Sequence, residues 1–304
     1  MIEPIAFIVH LYSGISELWL ADVDGKHARP LMADNSWYDE PAWAPPQPVG
    51  SPGGPKLAFA SNRLNRWMNI WVVDLNSGEE RQLTFIDSWD SSPTWSPDGR
   101  QIAFVSNRSG NYDLWLVAAD RSEIRQLTDH PASDYGPAWS PDGKLIAFTS
   151  RRSSHSDDIW VLDVESGEVQ QITDGPGKEF SPAWATALPG RGKGGQRLAY
   201  VSAREDGYYD VWLTDRQGRN QQQLTTTKNF EQGLAWSPDG RQLLLAAVES
   251  NGSSALWTVD VQDGALRRVN LRGHFLAQPV NVPWPVALRF GRQRYLSSPA
   301  WGWS

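Results

Sequence analysis

The chain has 304 residues, no cysteine and a formal net charge of −7. It therefore has no disulfides, thiolate metal sites or cysteine nucleophiles, and its acidic balance argues against nucleic acid as a partner. Hydrophobic residues make up 40% and charged residues 21%, ordinary proportions for a globular chain, but 17 tryptophans need an explanation.

The chain opens with MIEPIAFIVH, which has no basic segment ahead of a long apolar run, so no signal peptide is read. No apolar stretch approaches the roughly 18 residues of a membrane span, and membrane insertion is not expected. The first predicted strand is Ile5-Ala6-Phe7-Ile8, followed by one around Trp19 and one around Leu31. Trp43 comes next, and the same order then repeats. One tryptophan set is Trp43, Trp95, Trp139, Trp184, Trp236 and Trp301. A second is Trp19, Trp71, Trp115, Trp160, Trp212 and Trp257. A third series, in QLT-like segments, is Leu31, Leu83, Leu127, Ile172, Leu224 and Val269. The second set precedes the third by 12 residues in all six cases, and the third precedes the next first-set tryptophan by 12 in five of six. A period of about 44 to 52 residues marks a propeller or a similar array.

Each repeat reads as four short strands: A around the first tryptophan, B as in Ile102-Ala103-Phe104-Val105, C around the second tryptophan, and D at the QLT-like run. Ser-Pro-Asp-Gly at 96–99, 140–143 and 237–240 supplies the A–B turn. Radial packing buries both faces of such sheets, with the tryptophans between neighbouring blades. The expected fold is all-β, a six-bladed β-propeller with four-stranded antiparallel blades, in one domain spanning 1–304. Blade 1 combines 298–303 with 5–33. Blades 2 to 6 take 40–84, 91–128, 135–174, 180–226 and 232–270. The chain starts on a B strand and ends on an A strand, SSPAWGWS, so the C-terminal strand is expected to close the ring by pairing with the N-terminal blade. Residues 45–56 and 185–196 are enlarged, Pro/Gly-rich A–B loops. Residues 271–297 form an inserted D–A loop, expected on the B–C/D–A face and partly over the channel.

The segment SPTWSPDGRQIAFVSNRSGNYDLWLV at 92–117, with its counterparts at 136–162 and 233–259, resembles the repeat of the TolB propeller family. The resemblance covers essentially the whole chain. It implies the propeller fold and, through TolB itself, protein and peptide partners in an extracytoplasmic setting. Similar blades occur in regulatory propellers of serine peptidases, in polysaccharide lyases and in sensor-linked proteins, so the family resemblance does not choose one function. The N-terminal α/β domain of TolB has no counterpart in this sequence.

No catalytic motif is legible. Gly-x-Ser-x-Gly, His-Glu-x-x-His and a phosphate loop ending in Gly-Lys-Ser/Thr are absent, and GRGKGG at 190–195 has the wrong order for a phosphate cradle. Asp22-Val23-Asp24-Gly25 lacks the closing acid of a calcium loop. Asp74, Asp163, Asp215 and Asp260 share the place of Asp22, three residues after the C-strand tryptophan, which makes it a turn device. The histidines at 10, 27, 130, 155 and 274 have no ligand spacing. Arg63, Arg108, Arg152 and Arg204 follow B strands, and the last three are expected to pair with Asp113, Asp158 and Asp210 across the B–C turn.

The candidate ligand-binding rim lies just before the A strands, where acids and aromatics recur: Trp37, Tyr38, Asp39 and Glu40; Trp89 and Asp90; Asp134 and Tyr135; Glu179 and Phe180; Phe230 and Glu231. Inner strands start here, so these side chains are expected to ring one mouth of the channel. Acids would attract a basic ligand, and rings would stack on sugars, lysine or arginine. The strands are not expected to depend on Asp90 and Asp134, so Asn at both positions should preserve the fold. Three readings stay open: a non-catalytic module for a peptide or protein segment, possibly basic in character; a glycan-binding module; and an enzyme using a carboxylate-bound divalent cation in the channel. No resident cofactor is called for by the first two.

Overall fold

The computed structural model describes residues 5–10, 15–21, 29–45, 54–153, 156–185, 197–203, 206–227, 229–237, 240–248 and 254–268. All regular elements among them are β-strands. β1 (Ile5–His10), β2 (Ser16–Ala21) and β3 (Arg29–Met32) form a three-stranded antiparallel sheet. Five four-stranded blades follow. The first is β4 (Tyr38–Trp43), β5 (Lys56–Ser61), β6 (Asn69–Asp74) and β7 (Glu80–Gln82). The second is β8 (Asp90–Trp95), β9 (Gln101–Ser106), β10 (Asp113–Ala118) and β11 (Ile124–Gln126). The third is β12 (Asp134–Trp139), β13 (Leu145–Ser150), β14 (Asp158–Asp163) and β15 (Val169–Gln171). The fourth is β16 (Glu179–Trp184), β17 (Arg197–Ala203), β18 (Tyr209–Asp215) and β19 (Gln222–Gln223). The fifth is β20 (Phe230–Trp236), β21 (Gln242–Val248), β22 (Ser254–Asp260) and β23 (Leu266–Arg268). The last two blades touch through one parallel bridge, Tyr209 to Phe230.

Within each blade, strands adjacent in the chain pair antiparallel. The first strands of successive blades adjoin one another, β4 against β8, β8 against β12, β12 against β16 and β16 against β20. They form an inner wall, and the two- to three-residue fourth strands lie outside it. This is a β-propeller with four-stranded antiparallel blades. First strands begin at Tyr38, Asp90, Asp134, Glu179 and Phe230, one or two residues ahead of the expected blade starts. The C-terminal strand at 298–303, the insert at 271–297, and most of the loops at 45–56 and 185–196 lie outside the described residues.

The core follows from the repeat. Phe59, Phe104, Phe148 and Tyr200 occupy one position of the second strands and are fully buried. Each sits opposite the third-strand tryptophan: Trp71, Trp115, Trp160 and Trp212. First-strand tryptophans Trp95, Trp184 and Trp236 are buried. Trp95 Nε1 donates to Ala42 O at 3.1 Å and Trp236 Nε1 to Ala183 O at 2.9 Å, each reaching into the preceding blade. The aspartates that end the third strands β6 and β14 are turn devices as expected. Asp74 Oδ1 accepts from Asn76 N and Ser77 N, and Asp163 Oδ1 from Glu165 N and Ser166 N.

Candidate functional site

Antiparallel pairing brings three residues of each blade to one level at one end of the strands. Asp90 lies opposite Ser106, which lies opposite Asp113. The next blades repeat this as Asp134, Ser150 and Asp158, then Glu179, Ser202 and Asp210. The acids expected just before the A strands lie inside them: Asp90, Asp134 and Glu179 open β8, β12 and β16, and Asp39 and Glu231 are the second residues of β4 and β20. Their side chains are not presented as an open acidic funnel. Asp90, Asp134 and Glu231 are 0% exposed, and Asp39 and Glu179 are 5% exposed.

What closes over them is the rest of the repeat. Asp90 accepts from Ser88 Oγ at 2.9 Å, Ser106 Oγ at 2.6 Å and Arg108 Nη2 at 2.8 Å. Asp134 accepts from Arg152 Nη2 at 2.7 Å. Each guanidinium lies over two rings of its own blade, Phe104 and Trp115 for Arg108, and Phe148 and Trp160 for Arg152. This corrects the expected pairing of these arginines with Asp113 and Asp158 across the B–C turn. The side chain folds back over its own strand pair, where the rings face the cation and the first-strand carboxylate lies at its tip. Arg204 lies outside the described residues.

The third-strand aspartates are held by the QLT segment instead. Gln126 Nε2 donates to Asp113 Oδ2 at 3.0 Å, Gln171 to Asp158 at 3.0 Å and Gln223 to Asp210 at 2.8 Å. The threonine of the same segment accepts from the third-strand backbone: Thr128 from Leu114 N, Thr173 from Ile159 N, Thr225 from Val211 N. Thr225 also donates to Glu231 Oε2 at 2.6 Å, and Thr227 to Glu231 Oε1 at 2.8 Å. Burial pushes the carboxyls of Glu179 and Glu231 up to about 7. Burial also raises Asp113. In sequence the Gln and Thr are marked only as strand residues, and their recurrence on either side of the apolar residue at 83, 127, 172 and 224 is the signal for their role.

Asp39 departs from the series. Counting back from the first-strand tryptophan, Tyr38 holds the place of Asp90, and it pairs with Ser61, which pairs with Asn69. Tyr38 is fully buried, with its hydroxyl donating to Asp34 Oδ1 at 2.6 Å, so it is not a rim contact either.

The aromatics fare differently. Trp37, Trp89, Tyr135 and Phe180 are half-buried, and Trp67, Tyr112 and Tyr209 join them at the same strand ends. Tyr112 and Tyr135 pack with ring centroids 5.4 Å apart, and Phe180 meets Tyr209 edge-on at 5.2 Å. Asn62 Oδ1 and Asn107 Oδ1 accept from the backbone N–H groups of Trp37 and Trp89, each at 2.8 Å, fixing where these rings emerge. Phe230 starts β20, but its side chain lies outside the described residues. Among the described residues no three His, Asp or Glu side chains come together in a way that could hold a metal ion, and no helix is long and apolar enough to cross a membrane.

A family model described as the TolB beta propeller domain matches residues 5–186 and 153–290. The chain belongs to the TolB β-propeller family. A TolB homolog from Protochlamydia amoebophila is 30% identical over 99 residues, 33% of this chain and 20% of that protein. A Tol-Pal system protein TolB from Alcanivorax borkumensis is 28% identical over 94 residues, 31% of this chain and 20% of that protein. The matched segment thus spans about a fifth of either relative. The crystal structure of TolB from Acinetobacter baumannii superposes with a TM-score of 0.72 at 24% identity, covering 94% of this chain and 67% of that one, which is a likeness of fold.

Proposed function

We propose that this chain is a non-catalytic interaction module that takes a peptide or protein segment at the strand ends carrying Trp37, Trp89, Tyr135 and Phe180. One observation carries the reading: seven half-buried aromatics gather at one end of the blades, above a buried layer of acids held by arginine, glutamine, serine and threonine. Rings anchored on a rigid base lose little conformational freedom on binding, which favours them as contact residues. A Tol-Pal system protein among the relatives supports a protein partner, and the family resemblance supports an extracytoplasmic setting. The buried acids serve in this reading as the foundation of the rim, with Asp90 and Asp134 already matched by arginines.

The test is panning of a phage-displayed random peptide library on the full chain. Enriched peptides should bind at least about tenfold more weakly to a Trp89→Ala, Tyr135→Ala variant whose melting temperature shows it folded. Basic and neutral peptides compared at low and high salt read any electrostatic component, because screening weakens attraction to an acidic chain. A library that enriches nothing, or peptides that bind the variant equally well, would overturn the reading. Binding of an oligosaccharide panel without peptide binding would favour a glycan module.

The ring is further proposed to have six blades, with residues 297–304 supplying the strand missing from the three-stranded sheet β1–β3. Support comes from the five other blades, each of which has a strand at that place. Deleting 297–304 should lower the melting temperature sharply or leave the chain insoluble. An unchanged melting temperature would refute closure.

A further inference from the structure

Each first strand carries a bulge at the same place, three residues before its tryptophan. The residues there are Glu40, Ser92, Gly136, Ser181 and Gly233, all with φ between 48° and 58°. In β8 the register jumps from Ser91 to Thr94, so Ser92 and Pro93 have no partner on β9, and β16 jumps likewise from Phe180 to Ala183. Such a bulge turns one backbone N–H away from the sheet. Ser92 shows where it goes. Its N–H donates to Glu40 Oε2, and its hydroxyl donates to Glu40 Oε1 at 3.0 Å. A carboxylate from one inner strand thus sits in a two-donor cradle on the next, with one hydrogen bond to each oxygen.

Two blades further round, the same relation recurs with the carboxylate removed. Gly136 stands where Glu40 stands, and Ser181 stands where Ser92 stands, again followed by proline. The register leaves Ser181 without a partner on β17, and its hydroxyl makes no hydrogen bond among the described residues. A Cβ built on Gly136 meets no heavy atom within 4 Å, so no atom blocks the space beside the backbone there, where Glu40 carries its side chain. Leucine, valine or a larger side chain at 136 would fill that space. Glycine at φ +57° keeps it clear, although Glu40 shows that a side chain can be borne at the same backbone angle.

We propose that Gly136 and Ser181 form a carboxylate-binding site on the inner wall, with the Ser181 N–H and hydroxyl as donors and the Glu40–Ser92 contact as its filled, built-in counterpart. The ligand is a carboxylate group, carried either on an acidic side chain of a peptide or on a free small acid. A charged acceptor on two neutral donors, one of them a fixed backbone N–H, makes a strong hydrogen-bonded pair. The site begins one residue along the first strands from the rim rings Tyr135 and Phe180, and its donors are Ser181 groups rather than rings, so the Ser181 amide and the Trp89→Ala, Tyr135→Ala variant test the two readings separately.

The experiment follows backbone amides of the full chain, 15N-labelled in serine, during titration. The probes are succinate, the peptide N-acetyl-Ala-Glu-Ala-amide and its Gln analogue. The Ser181 amide should move downfield with the two carboxylates and stay put with the Gln peptide. Saturation by the Glu peptide at tenfold lower concentration than succinate would make a peptide the source of the carboxylate, and equal affinity would make it a small acid. Gly136→Glu should supply the carboxylate internally, shifting the Ser181 amide at the outset and abolishing its response. Ser181→Ala, labelled in alanine so that the amide of residue 181 is still read, should weaken binding about fivefold or more through the lost hydroxyl. Glu40→Ala should empty the first cradle, so that Ser92, silent in the wild type, begins to respond. These last two variants test the proposal even if Gly136→Glu fails to fold. A Ser181 amide that ignores saturating carboxylate, or responds equally in Gly136→Glu, would overturn it.

Discussion

Asp90 looks in sequence like a surface acid before a strand, and in the structure it is a buried anchor. It holds two serine hydroxyls and the Arg108 guanidinium with no solvent contact. The expectation that Asn would be tolerated therefore reverses. Asp90→Asn leaves Arg108, itself only 9% exposed, without its counter-charge. Removing one partner of a buried pair costs about 3–5 kcal/mol, and the amide oxygen of Asn retains part of the hydrogen bonding. A loss of about 2–4 kcal/mol is expected from urea unfolding. Glu231 gives a pH prediction with a definite sign. Burial lifts its carboxyl from the ordinary range to about 7. The unfolded chain then releases this proton near its ordinary value while the folded chain keeps it. The contribution to stability is full below the unfolded value of roughly 4.3 and is lost as pH rises through about 7. Urea midpoints at pH 5 and 8 should show a decline in wild type that is smaller in Glu231→Gln, by on the order of 2–3 kcal/mol. An identical decline in both would assign it to other groups.

The QLT strand ties three elements together at the scale of a single blade. Thr225 accepts from Val211 N at 2.8 Å and donates to Glu231 of the following blade. Thr225→Val keeps the shape and removes both bonds, leaving a buried N–H and a buried carboxyl each short of a partner. The cost should be about 2–4 kcal/mol, with faster hydrogen exchange at Val211, and Thr225→Ser should retain most of the stability. The Ser-Pro-Asp-Gly turns make a milder prediction. Gly99 has φ 69° and closes the turn onto Ser96 O at 2.9 Å, so Gly99→Ala should lower stability by about 1 kcal/mol, read as a shift in urea midpoint. Strand identity was legible here because turn residues and apolar runs are local. The partners of Arg108 and Gln126 were not, because a linear pattern does not say over which neighbouring strand a long side chain folds.

Blade-to-blade contacts decide the stability of the whole molecule. Trp236 is buried between the last two four-stranded blades, and its indole N–H reaches Ala183 O. In an array where each unit packs mainly on its neighbours, losing one interface loosens both flanking units. Trp236→Ala should cost about 3–5 kcal/mol, while Trp236→Phe should keep most of the packing and lose the hydrogen bond. Thermal unfolding monitored by tryptophan fluorescence and by far-UV circular dichroism should stay coincident in the Phe variant and separate in the Ala variant. Coincident transitions in both would mean that the propeller unfolds as one unit whichever interface is weakened.

The sequence by itself determined the repeat, the four strands of the five blades from Tyr38 to Arg268, their turns and the tryptophan core. Each of these depends on residues within about a dozen positions of one another, where period and turn chemistry act. It also placed the acids and aromatics at one end of the blades, because strand direction alternates with each turn. Only the tertiary structure decided that Asp90, Asp134, Glu179 and Glu231 are buried while Trp37, Trp89, Tyr135 and Phe180 stay partly open. Only the tertiary structure, likewise, put Glu40 onto Ser92, 52 residues away. An acid next to an aromatic reads the same in either arrangement. Which of the two faces water is set by the arginine, serine and threonine that packing brings over the carboxylate from neighbouring segments and the adjoining blade, at a desolvation cost that those hydrogen bonds offset.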